Sequence, residues 1–275
     1  MRIGLCNEVI ADRPFAAQCD LAAKLGYDGL EVSPFTLGDE PHRLSADERR
    51  ALRRAAADVG ITITGLHYLM RAPAGLSITA RDKAQRERTV DVIRDLCGLA
   101  ADLGGKVLVH GSPDQRKLEP GFEAEGRQHA IDCFAAAGEA AAKVGVIYCI
   151  EPLSRRQTDH INTVEEAANI VTAVGNPALR TMIDCSSAAS TEPRSIPDTI
   201  RRWLPTGLIA HIHLNDPNRR GPGEGELAFA PILAALREQN YDGDCGVEPF
   251  VYIPDGPTCA ARAIGYVRGL MEALP

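Results

Sequence analysis

Nothing in the chain approaches the roughly 20 consecutive apolar residues of a membrane-spanning helix. The longest apolar runs, 106–110 and 144–150, are a fraction of that length, so a bilayer span is not expected. No two of the eight cysteines, at positions 6, 19, 97, 133, 149, 185, 245 and 259, form a C-x-x-C pair. Most fall in apolar periodic segments where a thiol behaves as a small hydrophobe, which argues against disulfides and against a thiolate zinc site. Positive charge is not in surplus. Thirty Lys and Arg against 37 Asp and Glu leave −7 with the seven His counted neutral. That balance provides no general attraction for phosphate backbones, so nucleic acid is a disfavoured partner. Aromatics are only 5% of the chain, and the single Trp, Trp203, lies in an amphipathic segment as packing. The N-terminal residues run at once into a strand-like segment with no apolar leader region, which reads as cytoplasmic. What is present is ordinary for a globular chain of 275 residues: 45% hydrophobic and 24% charged, enough for a sizeable core and too apolar for disorder.

Short β-type runs alternate with longer helical patterns from end to end, the form taken by repeated βα units and a parallel sheet. Strands are expected at 2–7, 29–33, 62–67, 106–110, 147–151, 180–184, 210–214 and 246–250. Helices are expected at 15–25, 46–59, 81–103, 122–144, 164–174, 197–204, 229–238 and 259–274, where apolar residues recur every three or four positions. Ser45 with Glu48 reads as a capping box, and Gly26, Gly60, Gly104, Gly145 and Gly175 as helix stops. Eight such units predict an α/β fold, a single (β/α)8 TIM barrel spanning 1–275 as one domain, with a doubly wound open sheet as the alternative.

In a barrel of this kind the chemistry sits at the C-terminal strand ends. Glu151, Asp184, His213 and Glu248 end strands five to eight, spaced by 33, 29 and 35 residues, about one βα unit each. Three carboxylates aimed at one point cannot all ionise unless a cation sits among them. Three oxygen donors and one imidazole suit one divalent cation, Mn2+, Mg2+ or Co2+, with open positions for a ligand. His67 and His110 end strands three and four and are expected to contact substrate. Glu31, ending strand two, reads as a structural carboxylate, and His211 as a buried support to His213. The glycine-rich 220–226 lacks the Lys-Ser/Thr of a P-loop and reads as a loop over the site. Arg71, Arg116 and Arg155 are the candidates for a phosphate clamp.

The segments Ile150-Glu151-Pro152-Leu153-Ser154-Arg155, Ile161-Asn162-Thr163, Met182-Ile183-Asp184, His211-Ile212-His213-Leu214-Asn215-Asp216, Gly221-Pro222-Gly223-Glu224-Gly225 and Gly246-Val247-Glu248-Pro249 resemble the sugar isomerase/epimerase superfamily of xylose-isomerase-like barrels. The likeness covers nearly the whole chain. Within it the chain is most similar to ketose 3-epimerases of the tagatose/psicose type, because Arg219 stands six residues after His213. The resemblance implies that Glu151, Asp184, His213 and Glu248 hold one ion, usually Mn2+ or Co2+, and that Arg219 contacts substrate hydroxyls. It also implies that Glu151 and Glu248 flank a bound ketose, one removing the proton beside the carbonyl and the other returning it, through a metal-stabilised cis-enediolate. Relatives commonly form dimers or tetramers, so a homo-oligomer is expected.

Two positions depart from that pattern. Ser187 stands three residues after Asp184, where the epimerases place His, and Gln157 stands six after Glu151, where they place Glu. Both are expected to meet the substrate through hydrogen bonds, and both predict a difference in substrate or rate. A lyase or dehydratase acting on a keto-sugar or keto-inositol is the alternative activity, since it needs the same base and metal. A non-catalytic sugar-binding barrel is the alternative outside enzymes. A repair nuclease with a three-zinc site is disfavoured by Ser187, by the absence of a further Asp-x-His after strand seven, and by the negative charge.

Overall fold

The computed structural model describes residues 1–274 and shows a closed barrel of eight parallel strands in sequential order. The strands are β1 (Arg2–Cys6), β2 (Gly29–Val32), β3 (Thr62–His67), β4 (Val107–His110), β5 (Ile147–Ile150), β6 (Leu179–Asp184), β7 (Ile209–Leu214) and β8 (Asp244–Val247). Pairing of β1 with β8, Gly4 opposite Gly246, closes the ring. The open-sheet alternative is thereby excluded.

Around it run α1 (Phe15–Leu25), α2 (Ala46–Ala57), α3 (Lys83–Leu103), α4 (Glu123–Val144), α5 (Val164–Val174), α6 (Cys185–Thr191), α7 (Ile196–Trp203), α8 (Phe229–Glu238) and α9 (Gly256–Ala273). The Ser45/Glu48 capping box is formed as expected. Left-handed glycines follow α1, α3, α4 and α5 at Gly26, Gly104, Gly145 and Gly175. Gly60 does not cap α2, which ends at Ala57 with Asp58 as its C-cap. The seven-residue α6 was not expected; its polar Cys-Ser-Ser-Ala-Ala-Ser-Thr run carries no amphipathic period.

Alternation along the strands divides the molecule into two interiors. Leu5, Leu30, Leu66, Leu108, Tyr148, Ile183, Ile212 and Val247 point outward and pack beneath the helices as part of the principal core. Each such fully buried aliphatic side chain contributes about 1.5–3 kcal/mol of apolar transfer energy. Val107, Val109, Cys149 and Met182 form a second, smaller cluster inside the barrel. Above that cluster the lumen is polar, and there the site lies. All eight cysteines are free and buried. Among the described residues no helix is long and apolar enough to cross a membrane.

Candidate metal centre and active site

Glu151 follows the last residue of β5, Asp184 ends β6, His213 is the penultimate residue of β7, and Glu248 follows β8 by one position. Register explains their meeting: Asp184 lies opposite His213 at one level, and His213 lies opposite Gly246, so Glu248, two residues beyond, is the next inward side chain of β8. One ligand atom from each of the four residues lies within 4.8 Å of the other three, and all four residues are buried. The Nδ1 of His213 stands 3.1 Å from Glu248 and 3.8 Å from Glu151.

The hydrogen bonds around these four residues are equally specific. Asn215 Nδ2 donates to Asp184 Oδ2 at 2.7 Å and to Glu248 Oε2 at 3.3 Å. Its own Oδ1 accepts the Ser186 N–H, while the Ser187 N–H donates to Asp184 Oδ1. Glu151 rests against the backbone of Gly111, where an added Cβ would overlap its carboxylate. Behind it the buried Arg116 donates from Nη2 to the Glu151 carbonyl at 2.8 Å. Burial lowers that guanidinium to about 10.

Crowding of like charges leaves its mark on proton affinity. Burial, with Glu151 adding to it, pushes Asp184 up to about 6, and burial pushes Glu248 up to about 8 although His213 pulls the other way. Burial alone would lower His213, yet Glu248 and Glu31 hold it well above its ordinary value. Its Nδ1 has no hydrogen-bond partner in acceptable alignment. A buried, unpartnered nitrogen facing two carboxylates, with a third alongside, is a donor set that fits one divalent cation.

His67 joins this group from β3. Its Nε2 lies 2.7 Å from Glu8 Oε2, 2.8 Å from Ser33 Oγ and 3.9 Å from Glu248 Oε1. Against the cost of burial, Glu8 raises it to about 9.

A model described as the xylose isomerase-like TIM barrel matches residues 19–270. The chain belongs to that family. A D-psicose 3-epimerase of Agrobacterium fabrum is 29% identical over 241 residues, covering 86% of this chain and 80% of the relative. A D-psicose 3-epimerase of Ruminiclostridium cellulolyticum is 28% identical, covering 83% and 76%. Two solved structures share the fold over 98% of this chain and 99% of their own. They are a D-psicose 3-epimerase in the presence of D-fructose, with TM-score 0.82 and 23% identity, and the Escherichia coli 3-keto-D-glucoside 4-epimerase YcjR, with TM-score 0.83 and 20% identity.

Within this xylose isomerase-like barrel the remaining expected residues fare unequally. Ser187 is buried in the first turn of α6 beside Asp184. Arg219 is exposed in the β7–α8 loop, its guanidinium 5.2 Å from the Phe250 ring centroid. Gln157 is exposed and turned back onto Ser154, accepting from its Oγ at 2.7 Å, so its amide is not directed at the four central residues. His110 corrects the expectation outright. It faces away from the lumen, bonded through Nδ1 to the Tyr148 hydroxyl at 2.7 Å and set edge-on to Phe134 of α4. The reason is register: His67 lies opposite Val109, so His110 is one residue further along and points to the other face of the sheet. Arg71 packs over Phe35 and Tyr68, and Arg155 donates to Asn162, so neither forms a clamp with Arg116.

Three participants were not legible as such. Glu8 lies just past β1 with no periodic signal. Asn215 was part of a recognised segment without a role of its own. Glu31, whose isolated position predicts a structural role, is buried in the lumen and accepts from His211 Nε2 at 2.7 Å and His213 Nε2 at 3.1 Å. Inward alternation of β2 at the level of Cys6 and Gly65 was the one signal that could have found it.

Proposed function

We propose that the protein is a divalent-metal-dependent sugar epimerase that inverts carbon 3 of a ketose. The observation that carries the reading is the convergence of two buried glutamates, Glu151 and Glu248, with Asp184 and His213 on one point of the lumen. On this reading one glutamate takes the proton beside the carbonyl as a carboxylate, and the other, as a carboxylic acid, returns a proton to the opposite face. Glu151, Asp184, His213 and Glu248 would hold one divalent ion, Mn2+ with Co2+ and Mg2+ as substitutes, which would supply positive charge to stabilise the anion formed between the two proton transfers. Asn215 holds Asp184 and Glu248 at fixed separation, and Arg116 fixes the main chain of Glu151 from behind. Arg219, His67 and Ser187 supply hydrogen bonds to substrate hydroxyls, Gln157 joins them only by swinging away from Ser154, and His110 takes no part. The same reading places the enzyme in the cytoplasm as a homo-oligomer.

The test is solvent-deuterium incorporation, followed by NMR with the Mn2+-loaded protein in D2O across ketoses, ketose phosphates and oxo-glycosides. Deuterium at a single carbon, reduced about 100-fold or more in Glu248→Gln, is the expected result for loss of an acid/base group. A product lacking water would instead assign a lyase. No exchange with any sugar, despite bound ion, would overturn the enzyme reading.

A further inference from the structure

Glu31 is a lumen carboxylate that stands outside the ligand group of Glu151, Asp184, His213 and Glu248, on the opposite side of His213 from that group. It is 1% exposed, and both of its oxygens are engaged by histidines of a single strand. Oε1 takes His213 and Oε2 takes His211, two residues apart on β7 and therefore on the same face of the sheet. Space for it is left by β8: a Cβ at Gly246 would come within 2.7 Å of Glu31 Oε2.

From this geometry we infer that Glu31 is a positioning residue that selects the metal-binding tautomer of His213; the inference rests on the reading of the site as a metal centre. A neutral imidazole carries one N–H. With Nε2 3.1 Å from a carboxylate oxygen, the proton belongs on Nε2, because a lone pair there would face the negative charge of Glu31. The lone pair is then on Nδ1, the nitrogen that faces Glu248 and Glu151. His211 has a separate part: by occupying Oε2 it prevents Glu31 from rotating away from His213 or toward the ligand group. A carboxylate that orients a ligating imidazole typically alters metal affinity by about 10–100-fold when removed. Glutamine cannot replace it. An amide has one accepting oxygen for two N–H donors, and its NH2 turned to either ring demands a lone pair on that Nε2.

Two measurements on the full chain test this. Mn2+ titration of the metal-free protein, with free ion read by electron paramagnetic resonance, is expected to show Glu31→Gln binding about 10–100-fold more weakly than wild type. Circular dichroism of both metal-free proteins controls for the fold. Long-range 1H–15N correlation spectra of the Zn2+-loaded wild type are expected to show His213 as the Nε2–H tautomer, and this result stands even if the variant does not fold. Affinity within about twofold of wild type in a folded Glu31→Gln, or a proton on Nδ1 of His213, overturns the inference while leaving the metal site in place. Failure of the wild type itself to bind Mn2+ or Zn2+ overturns both the metal reading and this inference.

Discussion

His67 and His110 end neighbouring strands, and they live in opposite chemical worlds. His67 points into the lumen, where Glu8 and Ser33 hold its Nε2 and Glu8 raises it to about 9 in spite of burial. His110 points into the layer between sheet and helices, where burial, reinforced by Arg116, lowers it to about 3. The next residue after His110, Gly111, faces inward in its place, and the side chain it lacks is the space that the Glu151 carboxylate occupies. The contrast teaches that at a barrel rim the residue type is silent about its role until the parity of the pleat is known. On β3 the inward rim position holds a histidine ring bonded to Glu8 and Ser33. On β4 it holds nothing, and that vacancy is what the neighbouring strand uses.

The contrast can be broken by substitution. His110→Ala removes a buried ring packed on Phe134 and strands the Tyr148 hydroxyl, so denaturant unfolding is expected to show a loss of about 3 kcal/mol. Mn2+ affinity of the folded fraction should stay at the wild-type value, and a loss of affinity would return His110 to the site. Gly111→Ala should behave in the opposite sense. Gly111 does not have a positive φ, so its backbone admits alanine, but the new Cβ displaces the Glu151 carboxylate. Misplacement by about 1 Å predicts kcat lower by about 100-fold with the melting temperature little changed. Wild-type turnover in that variant would show that Glu151 does not need its present position.

The smallest effect is the most diagnostic, because the two histidines should respond to pH with opposite slopes. His67 is raised from 6.5 to about 9, so its contribution is fully present below pH 6.5 and is lost as pH rises toward 9. His110 is lowered from 6.5 to about 3, so the unfolded chain binds the extra proton, and its contribution is lost as pH falls from 6.5 toward 3. The stability gap between wild type and His67→Gln should therefore narrow on the alkaline side, and the gap to His110→Gln on the acid side. Parallel gaps would show that the two sites do not differ in charge.

Most of the architecture was written in local pattern, because eight alternations of short apolar runs with amphipathic segments leave few topologies open. The errors are local too. The last predicted strand, 246–250, starts two residues late, since Asp244 and Cys245 pair with Arg2 and Ile3 of a strand more than 240 residues away. The four central residues were legible because ionisable groups recurred once per unit at strand ends. His110 was misassigned because strands covered on both faces are apolar throughout, which erases the alternation that would have revealed its direction. Glu31 was undervalued because its partners, His211 and His213, are 180 and 182 residues distant and meet it only across the closed lumen. Gly111 could not be read at all, since its part is played by an atom it does not have.

Arg219 bears on how this barrel could be re-engineered. Its φ of 68° turns the β7–α8 loop so that one carbonyl accepts the N–H groups of both Phe250 and Val251, at 2.8 and 2.9 Å. Arg220 adds a bond from Nη2 to the Ile253 carbonyl. The loops after β7 and β8 are thus stitched together by two main-chain bonds to one carbonyl and one bond from the Arg220 side chain. They form one transplantable cassette: residues 216–227 and 249–253 exchanged together carry their own seam, whereas a graft of either alone cuts it.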